Sequence, residues 1–197
     1  MISRKIRKEG DYLLWKVNKK TPLPYELVAG LSKELNPKVV ADNNLHLLDC
    51  YFHIAHFIDK DNIIHARPPR CTVDFVDEKF LKKESKKADL ELWRFKQIKE
   101  NEIHSLTSIL FQIGDMKYCP KKDKWLGRHY DWPAIFLACI SWIPIFRGLN
   151  AKHLLHCAEF QHDGALLIGR VLSCDGSFDS LVSPNNILSG GLLRKVA

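Results

Sequence analysis

Leu45–Ile58, LHLLDCYFHIAHFI, constrains the fold more than any other stretch of the chain. Placed on a strand, it leaves polar and apolar residues on both faces. Placed on a helix, His46, Asp49, Cys50, His53 and His56 gather into an arc of roughly 120°. Leu45, Leu47, Leu48, Tyr51, Phe52, Ile54, Ala55 and Ile58 cover the rest, and Asn43 or Asn44 can supply the N-cap. The spacing predicts a largely buried helix, with the β-branched and aromatic content leaving a strand as the alternative. A segment this apolar needs a core around it. With 197 residues, 46% of them apolar, the chain is long enough for one domain with a substantial core and short for two.

The flanking segments read as short elements of both kinds. Asp11–Val17 reads as a strand, and Thr21-Pro22-Leu23-Pro24 then breaks the chain. Residues 25–35 fit a strand or a helix. Beyond the turn Asp59-Lys60-Asp61-Asn62, Ile63–Ala66 and Cys71–Val76 read as strands around Pro68-Pro69. Lys79–Lys87 is a solvated basic stretch. Leu90–Ile98 is a strand or short helix, and Ile103–Ile113 an apolar segment. Tyr118–Trp132 reads as a polar, aromatic and basic loop. Ala151–Phe160 reads as a helix and Ala165–Cys174 as a strand, with turns at Asp175-Gly176 and Pro184-Asn185-Asn186. Short strands with two helices in no regular βαβ alternation indicate the α+β class. Residues 1–23 are expected to form a basic N-terminal extension, and residues 24–197 a single domain.

The longest apolar run, Trp132–Phe146, lies between Asp131 and Arg147 and contains Pro133 and Pro144. Its 15 residues fall short of the roughly 20 that a membrane helix needs. Cys50, Cys71, Cys119, Cys139, Cys157 and Cys174 are widely spread, without a C-x-x-C pair. The basic residues 1–8 are followed by no apolar run of a signal peptide. These features predict a reduced, cytoplasmic, soluble protein with no membrane partner.

Thirty Lys and Arg against 23 Asp and Glu give a net charge of +7, which favours an acidic partner such as nucleic acid. The excess sits in residues 1–42 (nine basic, five acidic) and 79–105 (eight and five), whereas residues 43–78 are acidic (three and six). The segment from Lys117 to Tyr130 interleaves Lys117, Lys121, Lys122, Lys124, Arg128 and His129 with Tyr118, Trp125 and Tyr130. Single-stranded nucleic acid calls for this pairing: cations for phosphates and flat rings for unstacked bases. The run Lys82-Lys83-Glu84-Ser85-Lys86-Lys87 reads as soluble surface. The segment 117–130 is therefore expected to carry more RNA affinity than residues 82–87. Cys50, His53 and His56, with the later His153, His156 and Cys157, suggest a zinc site. The paired-cysteine and H-E-x-x-H spacings of metal motifs are absent, so half-buried packing histidines are the expectation, with no metal or cofactor.

Three sets of residues carry a resemblance to a known family. The first is Asn36-Pro37, Val39-Val40-Ala41-Asp42 and Leu45-His46-Leu47-Leu48-Asp49. The second is Gly127-Arg128-His129-Tyr130 with Pro133. The third is Trp142, Gly148 and Leu154-Leu155 leading into Gly164 and Gly169-Arg170-Val171. Over roughly residues 24–175 the chain resembles the repeat-associated (RAMP) subunits that hold the guide-RNA 5′ handle in CRISPR effector complexes, particularly of type IV. One departure is Phe160-Gln161-His162-Asp163-Gly164, where the family tends to place a Lys/Arg-rich stretch. The resemblance implies a ferredoxin-like, RRM-type sheet with insertions and a non-catalytic subunit. It implies RNA contacts at the 117–130 cations and rings and at Gly164, Gly169 and Arg170. Its implied partners are guide RNA, the other effector subunits and the target DNA duplex. Two other classes fit the sequence. One is a small protein-binding module, such as an immunity protein or phage-encoded inhibitor, with the acidic segment 43–78 as its interface. The other is a metal-dependent nuclease or hydrolase using His53, His56, His153 and His156.

Overall fold

In a computed structural model, residues 2–23, 50–130, 157–172 and 184–197 are described. They form a mixed α+β fold around one eight-stranded antiparallel sheet. In chain order the elements are β1 (Tyr12–Lys16), β2 (Tyr51–Phe57), β3 (Asn62–Arg67), β4 (Arg70–Phe75), α1 (Glu78–Glu84), β5 (Asp89–Phe95) and α2 (Glu100–Ile113). Then come β6 (Lys117–Cys119), a 3₁₀ turn (Pro120–Lys122), β7 (Lys124–His129), α3 (Cys157–Leu167), α4 (Pro184–Ser189) and β8 (Leu193–Lys195). Strand order across the sheet is β6-β7-β4-β3-β2-β1-β5-β8.

The expected helix over 45–58 is corrected by the sheet. Its described part is strand β2, which pairs with β1 through Tyr12↔His56, Leu14↔Ile54 and Trp15↔His53; residues 45–49 lie outside the described residues. Both faces of β2 are covered, and a strand buried on both faces loses the alternation by which strands are recognised. One core layer holds Tyr12, Leu14, Ile54, Ile64, Leu106, Leu110 and Phe160 on the first face. The other holds Leu13, Trp15, Phe57, Ile63, Leu81 and Leu92 on the second, with Ile2 from the N-terminus.

Residues 2–23 contribute to this core as well as carrying charge. β1 is an interior strand, paired on both sides with β2 and β5. Asp11, fully buried, accepts from Arg94 Nε at 2.5 Å, and Arg7 Nη1 donates to the Val76 carbonyl at 2.6 Å. The strands expected at Asp11–Val17, Ile63–Ala66 and Cys71–Val76 are present, and Leu90–Ile98 resolves into β5.

Three further expectations change. In the Tyr118–Trp132 segment, expected as a loop, the described residues form an edge hairpin of β6 and β7, with 131 and 132 outside them: Pro120 opens its tight turn and Asp123 closes it at φ +46°. The polar–apolar mixing of that segment is the period of two of a strand pair exposed along one edge. Ala165–Leu167 finish helix α3 where a strand was expected, and Gly169 at φ +75° ends the turn that follows. Pro184-Asn185-Asn186 opens α4 where a turn was expected. The Lys79–Lys87 stretch is α1 as far as Glu84 and then a turn; the helix is capped by Asp77, whose side chain accepts from the Phe80 amide at 2.6 Å, with Leu81 and Glu84 turned inward. The readings at 25–35, 151–156 and Asp175-Gly176 fall outside the described residues.

The β6–β7 hairpin is docked onto the end of α2. The Arg128 amide donates to the Gly114 carbonyl at 2.7 Å, and a Cβ on Gly127 would stand 2.2 Å from that oxygen and 2.5 Å from Met116 Sδ. The backbone approach therefore requires glycine. Gly127→Ala is expected to cost about 2–3 kcal/mol in urea unfolding; a loss below about 0.5 kcal/mol would mean that the hairpin is not seated this way.

Candidate nucleic-acid interface

Strand alternation decides which face each hairpin side chain serves. Tyr118 pairs with Trp125, and Cys119 with Lys124. The two rings therefore point to the face of α2, and Lys124 and Leu126 to the opposite one. Trp125 meets Phe111 edge-on at 5.2 Å and Tyr118 at 5.7 Å. Both remain partly open, at 39% and 48% exposure. Rings and cations that alternate in sequence are thus separated in space.

On the second face a groove of about 620 Å³ runs between α1, the β3–β4 turn and β7. Five cations line it: Arg67 and Arg70, which face each other across the turn, Lys83 from α1, Lys122 from the 3₁₀ turn and Lys124 from β7. Phe75, 60% exposed, and Phe80 supply aromatic surface, and Thr72, Asp74 and Glu84 the remaining polar groups. Both carboxylates are engaged. Glu84 accepts from Trp15 Nε1 at 3.1 Å and lies 3.7 Å from Lys87. Asp74 is held by Lys124 at 2.5 Å, Arg67 at 3.2 Å and His65 at 3.1 Å. Among the described residues no carboxylate is paired with Arg70, Lys83 or Lys122.

Behind Asp74 lies a chain of histidines. His65 is fully buried, and its Nδ1 lies 2.8 Å from His53 Nε2. Trp15 stacks on His65 and meets His53 edge-on at 4.7 Å. Burial pushes both imidazoles below their ordinary pKa, the Asp74 hydrogen bond only partly offsetting it for His65, so both are neutral. Burial by itself would raise the Asp74 pKa, but the hydrogen bonds from His65 and Lys124 prevail and hold it well below the usual carboxylate range. An ionised carboxylate only accepts, so His65 Nε2 carries the proton, His65 Nδ1 accepts, and His53 Nε2 donates to it.

The sequence-predicted residues are distributed unequally. Lys122 and Lys124 enter the groove. Lys121, Arg128 and His129 are exposed on the same hairpin, with His129 Nε2 3.4 Å from Arg70 Nη2, and Lys117 pairs with Asp115 at 3.2 Å. Tyr130, expected to stack on a base, is 8% exposed and belongs to the core, its amide donating to the Pro69 carbonyl. Gly164 sits inside α3, where a Cβ would stand 2.6 Å from Leu110, so it serves helix packing. Gly169 is in the turn after α3, and Arg170 bonds both Glu102 oxygens at 3.0 Å. Glu102 is on the first turn of α2 and the hairpin follows its last, roughly 16 Å further along. Arg170 and the hairpin therefore lie toward opposite ends of α2, while Gly164 is inside the core against Leu106 and Leu110.

Sequence reasoning missed Arg67, Arg70, Phe75 and Phe80. The Arg67-Pro68-Pro69-Arg70 turn was a usable signal, because a tight hairpin brings its two flanking residues into register. Lys83, assigned to a solvated run, joins the hairpin cations in one groove. Among the described residues no group of three His, Cys, Asp or Glu side chains is placed to hold a metal ion; His153 and His156 lie outside them. Cys71, Cys119 and Cys157 are free thiols, and no helix among the described residues is long and apolar enough to cross a membrane. No known protein family and no curated protein matches the chain.

Proposed function

We propose that this protein binds single-stranded RNA in the groove between α1, the β3–β4 turn and β7. The observation that carries the reading is the convergence of five cations from four separate segments beside two phenylalanine rings. Cations neutralise consecutive phosphates, and rings offer stacking surface to bases of any sequence. Its finer form is a non-catalytic, cytoplasmic CRISPR subunit that holds the guide-RNA 5′ handle and contacts other effector subunits and the target DNA duplex. That form rests on the resemblance of short segments, of which 36–49 and 133–155 lie outside the described residues. The antiparallel sheet with α2 and α3 against one face is compatible with a ferredoxin-like core, although β2, β3 and β4 pair in simple succession.

The protein-binding alternative draws less support. Its acidic segment spends its charge internally: Asp61 on Arg4, Asp74 on Lys124 and Arg67, and Asp77 on the α1 cap.

Fluorescence anisotropy with a labelled single-stranded RNA of about 20 nucleotides tests the reading. Replacing Lys83 and Lys122 together with alanine is expected to weaken binding at least tenfold. The slope of log Kd against log salt should fall by about 1.4, or about 0.7 for each phosphate that is no longer neutralised. Trp125→Ala, on the other face, should change affinity less than twofold. Absence of RNA binding by the intact protein, or wild-type affinity in the double variant, would overturn the assignment.

A further inference from the structure

We infer that Asp74 reads the ribose 2′-hydroxyl, so that the groove selects RNA over DNA; this rests on the groove being the RNA site. An ionised carboxylate offers about four acceptor positions. On Asp74, Oδ1 takes Lys124 Nζ at 2.5 Å, and Oδ2 takes His65 Nε2 at 3.1 Å and Arg67 Nη1 at 3.2 Å. One position on Oδ1 remains. The side chain lines the groove at 13% exposure, so a ligand in the groove reaches this carboxylate.

The ligand atom there must be a donor. Phosphate oxygens cannot fill it, because they only accept. On a ribonucleotide the 2′-hydroxyl is on the carbon next to the one bearing the 3′-phosphate. An acceptor flanked within 3.2 Å by two cations matches that vicinal hydroxyl–phosphate pair. Base N–H groups lie across the sugar from the phosphate and do not match it. Histidines His53 and His65 give the arrangement its direction. Their donor chain ends on Oδ2 and keeps that oxygen occupied, so the remaining acceptor position is on Oδ1.

The probes are one sequence made as RNA, as DNA and as 2′-O-methyl RNA, titrated by anisotropy against the full chain. Wild-type protein is expected to bind RNA about tenfold or more tightly than either of the others, the effect of one hydrogen bond to a charged acceptor. Asp74→Asn should bring the RNA-to-DNA ratio close to one while DNA affinity holds or rises, because a negative charge has left the groove. Trp125→Ala, on the opposite face of the hairpin, should keep the wild-type ratio. Where Asp74→Asn fails to fold, Asp74→Glu, which displaces the oxygens, serves and should lose the ratio as well. Equal wild-type affinity for RNA and DNA overturns the inference while leaving groove binding intact. So does discrimination that survives in the folded Asp74 variant or disappears with Trp125→Ala. A protein that binds none of the three probes fails the reading on which the inference rests.

Discussion

Below about pH 6 the protein is expected to lose stability steeply, well before ordinary carboxylates titrate. His56 is fully buried beneath α2, with Nε2 3.3 Å from the Thr107 hydroxyl and Nδ1 without a partner among the described residues. Burial pushes its pKa down to about 3. In the unfolded chain the same imidazole titrates near 6.5, so below that pH the unfolded state takes up a proton that the folded state refuses. Folding stability is therefore fully present above about pH 6.5 and is lost as pH falls toward 3. The slope is about 1.4 kcal/mol per pH unit, or about 3 kcal/mol by pH 4 from His56 alone. His53 and His65, also pushed down by burial, act in the same direction. Urea unfolding at pH 7, 6, 5 and 4 measures this, and His56→Leu should flatten the slope by about one proton. A stability that is level from pH 7 to pH 5 would show that these histidines are not buried neutral.

Arg94→Leu should cost about 3–5 kcal/mol, among the largest effects of any single change outside the hydrophobic core. Asp11 is fully buried and is held by Arg94 Nε at 2.5 Å, Arg94 Nη2 at 2.8 Å and the Lys8 amide at 2.9 Å. Removing the guanidinium strands a buried carboxylate, and that desolvation penalty, more than the lost attraction, sets the size of the effect. Arg94 also donates to the Ile6 carbonyl, so the N-terminal segment should loosen at the same time. Changing both partners, Asp11→Leu with Arg94→Leu, should recover much of the loss, because no charge is then left unpaired. Thermal unfolding of Arg94→Leu, Asp11→Leu and the double variant separates these terms. A loss below about 1 kcal/mol in the single variant would mean that water reaches Asp11.

The elements legible in the sequence were those with a one-sided environment or strong punctuation. Asp11–Val17 is apolar and stops before Thr21-Pro22-Leu23-Pro24, and the strands around Pro68-Pro69 are bounded by evident turns. The centre of the sheet was not legible in this way. Between β1 and β3, His56 and its apolar neighbours are buried and His53 is half-buried against Trp15 and His65, and such a strand has no polar face to set its period. The candidate site was legible as charge and aromatic content in 117–130, but its geometry was not. Strand pairing sends Trp125 and Lys124 to opposite faces, and Tyr130 leaves the surface altogether.

The sequence by itself determined the α+β class, the basic character of the middle third and the presence of cations and rings suited to nucleic acid. Composition and local turn chemistry act over a few residues, and no partner is needed to read them. Tertiary structure decided which cations meet. Lys83, Lys122 and Arg67 come from an α-helix, a 3₁₀ turn and a strand end far apart in the chain, and sheet order alone makes them neighbours. It also decided the charge states behind the groove. The Asp74–His65–His53 chain exists only because β2, β3 and β4 lie side by side beneath α1, in surroundings dry enough to keep both imidazoles neutral.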